Sequence, residues 1–261
     1  MGVYSIYILM CLILSAIYDG EKERRGKTFF YSLMCLYLIM LAGLRHGVGG
    51  DTQYYMEEFE QLPGTLAEYG SYMQYMLNMY GQMPGWTFLN VACKQLFGSF
   101  YAVQLIEAAV VNITLFYVFH KYTKHIFLCI LLYVVTAQFF NFNTEVMREG
   151  MAIGLCSVGM YGYIQGKKGQ FYLLVAVSLL FHISAVAALI FPFIRLKEIT
   201  WQTLAYAFVI SLGLWGLSDL IISRLTETLT GDGGLIEKVL NYSNCKSNYP
   251  CHRIITICHY F

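Results

Sequence analysis

Long runs of apolar residues, separated by short polar stretches, make up most of this sequence. A helix needs about 20 mostly apolar residues to cross a bilayer, and backbone inside lipid must satisfy its own hydrogen bonds, so such runs predict transmembrane helices. The runs extend approximately over Gly2 to Tyr18, Phe29 to Leu44, Phe100 to Phe119, Ile126 to Phe140, Gly150 to Gln165, Phe171 to Ile194 and Trp201 to Ile222. An eighth segment, over residues 86–97, is short and contains Asn90 and Lys94. It predicts a reentrant or partly buried helix.

The composition excludes a soluble protein. Apolar residues make up 57% of the 261 positions and charged residues only 13%, whereas soluble domains carry about 45–50% and about 25%. So few charged side chains cannot cover the surface of a globule of this size. We therefore predict an all-α, polytopic transmembrane bundle of about 7–8 helices, with residues 1–242 forming a single transmembrane domain. The net charge of +1 provides no basic surface for a nucleic acid.

Basic residues indicate which loops face the cytoplasm. Three loops each contain at least two Lys or Arg residues, namely 19–28, 120–125 and 166–169. The stretch from His46 to Cys93 contains none and carries only carboxylates as charged groups. We therefore predict a long external loop over residues 45–85, between helices 2 and 3, and we expect residues 141–149 on the same side.

The same reasoning bears on three ambiguous segments. Basic residues follow the first apolar run and do not precede it, which favours a membrane helix with an external N-terminus over a cleaved signal peptide. The segment 86–97 is expected not to span, since a full span would place the lysines of the next two basic loops outside. Residues 171–194 form either one long span or a reentrant hairpin bent at His182. We expect the single span because it is the simpler structure.

Two polar blocks lie at predicted external helix ends. In the first, residues 45–55, glycines such as Gly47 and Gly49 permit positive φ angles and would let Arg45 and Asp51 turn back over the bundle. The alternative is an ordinary loop after a helix whose terminal Arg reaches the interface.

The second block, residues 141–150, opens the next helix. Asn143 or Thr144 is predicted to cap this helix, and Glu145 suits its positive N-terminus. Arg148 does not suit that position unless it has an anionic partner. That partner is either Glu145 or a bound phosphate.

Two further features interrupt the apolar pattern. His182 lies near the middle of the run 171–194, where an ionisable residue usually faces a cavity or a partner. A neutral histidine hydrogen-bonded to a neighbouring helix is the alternative. Pro84 suits the start of the short helix.

No metal or cofactor site is predicted. Five of the eight cysteines lie in or beside apolar segments, where cysteine behaves as a small hydrophobe. In the tail, Cys251-His252 and Cys258-His259 match no standard zinc-finger spacing. The sequence also lacks the phosphate-binding Gly-x-x-x-x-Gly-Lys motif and the Gly-x-Ser-x-Gly motif of hydrolases.

Four motifs follow one another along the chain. They are Arg-x-Gly-x-Gly-x-Asp-x-x-x-Tyr at 45–55, Pro-Gly-Trp at 84–86, Arg-x-Gly-x-Ala at 148–152 and Phe-His-x-Ser-Ala at 181–185. In this order they resemble the EpsG family of bacterial exopolysaccharide proteins, which are Wzy-like polysaccharide polymerases. The resemblance runs from about Phe29 to Tyr242. The family usually has Glu where this chain has Met83, and Gln where it has Glu149.

The resemblance implies a membrane glycosyltransferase that polymerises polyprenyl-diphosphate-linked oligosaccharide repeat units into exopolysaccharide or capsule. The reaction would take place on the outer face of the bacterial cytoplasmic membrane and would need no cofactor. The implied partners are the lipid-linked oligosaccharide, the lipid bilayer and other polysaccharide export proteins.

Roles for individual residues follow from this implied activity. Arg45 and Arg148 would bind the diphosphate, because Arg offers a planar fork that matches phosphate oxygens. Candidate general bases for the acceptor hydroxyl are Asp51, His182 and Glu145, of which Asp51 is preferred. Gly47, Gly49 and Tyr55 would shape the first block.

A non-enzymatic protein is the alternative: a transporter, a flippase or an assembly partner in polysaccharide export. Arg and His at membrane depth would then bind an anionic lipid in transit. Members of the resembled family continue with further helices after the segment that resembles Ile236 to Tyr242. Residues 243–261 are instead predicted to be an atypical tail, produced by a truncation or a frameshift.

Overall fold

Helices build the described part of the chain, which contains no β-strand. The computed structural model describes residues 2–20, 26–79, 83–194 and 201–216. In chain order the helices are α1 (Gly2–Tyr18), α2 (Lys27–Gly43), α3 (Thr52–Gln61), α4 (Leu66–Met79), α5 (Pro84–Phe97), α6 (Phe100–Tyr122), α7 (Ile126–Val135), α8 (Gln138–Phe140), α9 (Met147–Ile164), α10 (Lys168–Leu179) and α11 (Trp201–Gly216). A π-helical turn (Asn141–Glu145) precedes α9, and a 3₁₀ helix (Ile183–Phe193) follows α10. The predicted all-α class is confirmed.

The chain divides into two compact units, residues 1–193 and residues 194–261. All candidate site residues lie in the first unit. In the second, the described residues include α11. The predicted tail, residues 243–261, and its Cys-His pairs lie outside the described residues.

One described helix, α6, is long and apolar enough to cross a membrane by itself. The pair formed by α7 and residues 138–145 would add a second span if it crossed as one unit, although its two parts meet at 75°. Several other apolar helices in the described part are shorter. The predicted number of spanning helices is therefore not confirmed.

Helix α6 lies at the centre of the first unit, with α2 antiparallel to it. The Tyr31 hydroxyl donates a hydrogen bond to the Phe116 carbonyl at 2.6 Å near one end of the pair. Near the other end, a Cβ on Gly43 would lie 2.8 Å from the Leu105 Cα, so the two backbones approach as closely as they do because Gly43 has no side chain.

Helix α9 runs parallel to α6. The rings of Tyr117 and Tyr161 are 5.8 Å apart, and those of Tyr122 and Tyr161 are 5.4 Å apart, so both helices finish at the same end of the bundle. The chain between them must therefore return from one end to the other. Residues 126–145 make that return.

The returning segment is bent, although the apolar run over 126–140 predicted one helix. α7 ends at Val135, and Ala137 has φ 59°, a conformation that residues other than glycine rarely adopt. Before the bend, the Thr136 hydroxyl donates to the Leu132 carbonyl at 2.6 Å, a contact that often bends helices. An apolar run carries no signal of such a break.

Residues 168–193 form a hairpin, and the expectation of a single span over 171–194 is wrong. α10 ends at Leu179, and the 3₁₀ helix folds back so that the Phe191 ring lies 6.2 Å from that of Phe171, near the start of α10. At the bend, His182 Nδ1 accepts a hydrogen bond from the backbone N–H of Ser184 at 3.3 Å. The His182 side chain thus provides a hydrogen-bond acceptor for one of the free N–H groups at the start of the 3₁₀ helix.

The basic loops meet at one end of the bundle. Asp19 accepts hydrogen bonds from the first backbone N–H groups of α7, including that of Leu128 at 2.9 Å. Lys27 Nζ donates to the Lys124 carbonyl at 3.1 Å. The end of α9, which leads into loop 166–169, lies at this same end. The loops that the charge pattern assigns to the cytoplasm are therefore neighbours in the structure.

The predicted loop over residues 45–85 contains helices α3 and α4 and the first two residues of α5. Lys94 on α5 fixes the end of α3, because its Nζ donates to the carbonyl oxygens of Phe59, Glu60 and Leu62 at 2.9, 2.8 and 2.8 Å. Carbonyl groups at a helix C-terminus lack intrahelical partners and favour a cation. The segment predicted as a long loop is thus largely helical and attached to the bundle.

Candidate functional site

Arg45 joins several elements at the end of the bundle opposite the basic loops. The residue is only 8% exposed. Nε donates to the Val48 carbonyl at 3.2 Å and Nη1 to the Ala42 carbonyl, while Nη2 contacts Thr52 Oγ1 at 3.4 Å and Met147 Sδ at 3.3 Å. These bonds use four of the five N–H groups of the side chain. They connect the end of α2 to the starts of α3 and α9.

The glycine-rich loop after Arg45 packs directly against the π-helical turn. Gly49 has φ 107°, and a Cβ there would lie 2.7 Å from the Thr144 carbonyl oxygen, so both its conformation and its surroundings favour glycine. Gly47 has φ 61°. The next residue, Gly50, donates its N–H to both carboxylate oxygens of Glu145, at 2.9 and 3.1 Å.

Two further bonds join the first and second polar blocks. The Thr52 hydroxyl donates to the Thr144 carbonyl at 3.1 Å, and the Tyr55 hydroxyl lies 3.5 Å from the Glu145 carbonyl. Segments about ninety residues apart in sequence therefore form one surface. Asp51 lies on it as an exposed residue directly before α3.

The prediction that Asn143 or Thr144 caps α9 is wrong. Val146 occupies the cap position and makes no side-chain capping bond. Asn143 is fully buried, where it accepts from Asn112 at 2.9 Å and donates to the Tyr133 hydroxyl at 3.0 Å. The chain enters α9 through a π-helical turn, so these side chains point into the bundle instead of toward the first turn of α9.

Arg148 is half-buried and lies over an aromatic ring. Its guanidinium carbon is 5.4 Å from the centre of the Tyr55 ring, within the range of a cation–π interaction. Burial raises the pKa of the Tyr55 hydroxyl, and the positive charge of Arg148 partly opposes that shift. Of the two anionic partners predicted for Arg148, the Glu145 carboxylate instead accepts hydrogen bonds from the Gly50 N–H.

The short helix α5 connects this surface to the break in the hairpin. The Tyr55 ring meets the edge of the Trp86 ring at 5.4 Å. The Gly85 N–H donates to the Leu180 carbonyl at 2.8 Å, and a Cβ on Gly85 would lie 2.8 Å from the Leu180 Cβ. His182 lies in the same break. The four motif blocks therefore meet at one end of the bundle, with His182 at the edge of the cluster.

Glu107 is a buried ionisable residue that the polar blocks of the sequence do not include. It lies in the first half of α6 with no exposed surface, and neither carboxyl oxygen has a hydrogen-bond partner within the described residues. Burial lowers the pKa of Arg45, whereas the carboxylates of Glu107 and then Glu145 oppose that shift. The sequence does show this residue, because an acidic side chain inside an apolar 23-residue helix is rare and usually functional.

A cavity of about 350 Å³ opens beside Arg45. Its walls come from α1, α2, α8 and the π-helical turn, through residues that include Tyr4, Met40, Phe140 and Thr144. Most of the lining is apolar, and Arg45 is its one cationic residue. Within the described residues, no group of three or more His, Cys, Asp or Glu side chains is placed to hold a metal ion.

Comparison with known proteins identifies the family. The EpsG family model matches residues 28–250, which is most of the chain and extends into the predicted tail. No curated protein and no solved structure matches the chain. The chain belongs to the EpsG family, a family of membrane proteins associated with polysaccharide biosynthesis.

Proposed function

We propose that this protein is a polymerase of lipid-linked glycans. It joins polyprenyl-diphosphate-linked oligosaccharide repeat units into exopolysaccharide or capsule on the outer face of the bacterial cytoplasmic membrane. The observation that carries the proposal is the meeting of the two arginine blocks at one end of the bundle in a member of the EpsG family.

A multi-pass position in the membrane is part of this proposal. Large apolar side chains are exposed along the sides of the helices, among them Leu9, Leu12, Phe29, Leu36 and Ile113. Apolar surface of this extent is unfavourable in water and suits contact with lipid. Basic loops at one end and carboxylates at the other support an orientation with the arginine blocks outside.

The proposed reaction is a glycosyl transfer. The acceptor hydroxyl oxygen attacks the anomeric carbon of the donor, and the bond from that carbon to the diphosphate oxygen breaks. The electron pair leaves with the polyprenyl diphosphate, and the hydroxyl proton passes to a base. The leaving group gains negative charge during this step, so cationic donors near it lower the barrier.

Arg148 and Arg45 have different places in this scheme. Arg148 is half-buried on the surface formed by the two blocks, where its guanidinium lies over the Tyr55 ring. Arg45 retains one N–H group and its full charge next to the cavity. We assign binding of the diphosphate to both arginines together, with Arg45 as the cation that lines the cavity and Arg148 as the second donor group.

Asp51 is the preferred general base. It is exposed on the surface formed by the two blocks, where an acceptor sugar has access to it. The carboxylate of Glu145 already accepts hydrogen bonds from Gly50. His182 touches neither arginine within the described structure, and its Nδ1 is engaged with Ser184.

The test replaces each arginine by lysine, which keeps the charge but loses the fork of donors. Arg45→Lys and Arg148→Lys should each reduce polymer length in membranes containing the protein and added lipid-linked repeat units. The double variant should be little worse than the poorer single one if both act on the same diphosphate. Lys168→Arg, at the opposite end, is the matched control. Polymer of normal length from either lysine variant, at normal protein abundance, would contradict the assignment.

The broken helices favour a second candidate, a flippase. Transporters often carry discontinuous helices at their binding sites, and both the bend at Ala137 and the hairpin at His182 are of this kind. The two candidates differ in what accumulates when the gene is deleted. Single repeat units on the outer leaflet indicate the polymerase, and repeat units on the inner leaflet indicate the flippase.

A further inference from the structure

Two cavities in the first unit share a residue. The first lies beside Arg45, and the second, of about 360 Å³, lies between α1 and α2. Met40 lines both. The second extends along α2 as far as Leu33. The eleven residues from Leu33 to Gly43, at the end of α2, correspond to about 16 Å of helix. The two cavities thus lie end to end along α2, and together we call them the track.

The chemistry of this track changes along its length. At one end lie Arg45 and the polar groups of Tyr4 and Thr144. The remainder is almost entirely apolar. Tyr7 lies in that part, but its hydroxyl donates to the Met34 carbonyl at 3.3 Å and so presents only its ring. The track is therefore cationic at one end and apolar beyond it.

The track is open along the side of the bundle. Among its lining residues, Ile6 is 61% exposed, Leu36 54% and Met40 44%. These side chains belong to the apolar surface proposed to face lipid. A hydrocarbon chain could therefore enter sideways from the membrane without passing through the polar loops.

We propose that this track holds the polyprenyl chain of the lipid-linked substrate, with its diphosphate at the Arg45 end. The assignment rests on the proposed function. The lipid-linked substrate carries an anionic diphosphate and a long hydrocarbon chain in one molecule. The track has a cation at one end and an apolar groove directly beyond it, so it matches both parts of the substrate. Charge complementarity at Arg45 fixes the direction in which the lipid lies.

A bulky residue at the junction of the two cavities tests the track. Met40→Trp should weaken binding of a long-chain polyprenyl diphosphate to the purified protein by about tenfold or more, since the larger ring fills the junction and overlaps with the chain. Binding of inorganic pyrophosphate should not change. Leu12→Trp is the matched control, because Leu12 is 49% exposed on α1 and lines neither cavity.

Photocrosslinking of the unaltered protein provides a second measurement that does not depend on folding of a variant. A polyprenyl diphosphate with a diazirine in its chain should label residues 6–10 and 33–40. Labelling elsewhere, or equal competition by phosphatidylglycerol, would overturn the assignment. If the track fails while Arg148→Lys still shortens the polymer, the proposed function stands without it. If neither polyprenyl diphosphate nor pyrophosphate binds, both proposals fail.

Discussion

Arg45 and Glu107 show how a buried charge depends on its surroundings. Arg45 is almost completely buried but has four hydrogen-bond acceptors, whereas Glu107 has none within the described residues. A buried ion without hydrogen bonds is costly unless a charge of opposite sign lies near it. Of the carboxylates that favour the charged form of Arg45, Glu107 has the larger effect. That effect applies only to an ionised Glu107, and burial without hydrogen bonds favours the neutral form of its carboxyl group.

The neutral form of Glu107 gives a stability prediction. Glu107→Gln keeps the shape of the side chain and carries no charge, as the neutral carboxyl group does. The melting temperature of the purified protein in detergent should therefore change by less than about 3 °C, corresponding to less than about 1 kcal/mol. Glu57→Gln, on the exposed face of α3, is the control. A fall of several degrees for Glu107→Gln alone would contradict the neutral form and show that an ionised Glu107 stabilises the charge of Arg45.

The sequence identified the site residues that lie at the ends or breaks of apolar runs better than the one that lies within a run. Arg45, Asp51, Arg148 and His182 each interrupt an apolar run or lie at its end, where a charge is conspicuous. Glu107 lies within a run whose average remains strongly apolar, and only inspection of the single position reveals it. Contacts between blocks also could not be predicted, since nothing in local spacing shows which distant segment a loop will meet.

At the scale of elements, the site depends on interruptions in helices. The glycine loop after α2, the π-helical turn before α9 and the hairpin break after α10 all lie at the same end. Each exposes backbone groups that bond to another block. The sequence predicted the apolar segments but not these breaks, because hydrophobic periodicity does not distinguish one long helix from two short ones.

A substitution in the glycine loop tests whether its close packing against the π-helical turn is required. Gly49→Ala introduces a side chain at φ 107° and into contact with Thr144, so it should cost about 1–3 kcal/mol and detach the loop from the π-helical turn. Gly64→Ala is the control, because a Cβ there meets nothing within 4 Å. Hydrogen exchange at the Gly50 N–H should become faster in the first variant only. Unchanged exchange in Gly49→Ala would mean that the close packing is not required.

At the scale of the whole molecule, charge separates along the bundle. Lysines of three loops lie at one end, and the carboxylates of residues 51–68 accompany the arginine blocks at the other. The charge pattern of the sequence assigns these loops to opposite sides of the membrane. Their separation in the structure agrees with that assignment, while the membrane orientation remains part of the proposal.

Thiol labelling tests the orientation. In a background without native cysteines, single cysteines replacing Glu60 and Asn141, both exposed, should react with an impermeant reagent in intact cells. A cysteine replacing Lys168 should react only after the cells are opened. Asn143 would be an unsuitable position because it is fully buried. Labelling at 168 in intact cells, or protection at 60, would reverse the orientation.

The contact made by Lys94 has a consequence for how well the face proposed to be external resists proteases. Between His46 and His120 this lysine is the one residue after which trypsin-like proteases cleave. Its ammonium group is enclosed by three carbonyl oxygens at the end of α3 and cannot enter a protease specificity pocket while they hold it. The face proposed to be external therefore offers such proteases no accessible cleavage site along α3, α4 and α5. The same contact that orders this region would protect the surface proposed for polymerisation from degradation by secreted enzymes.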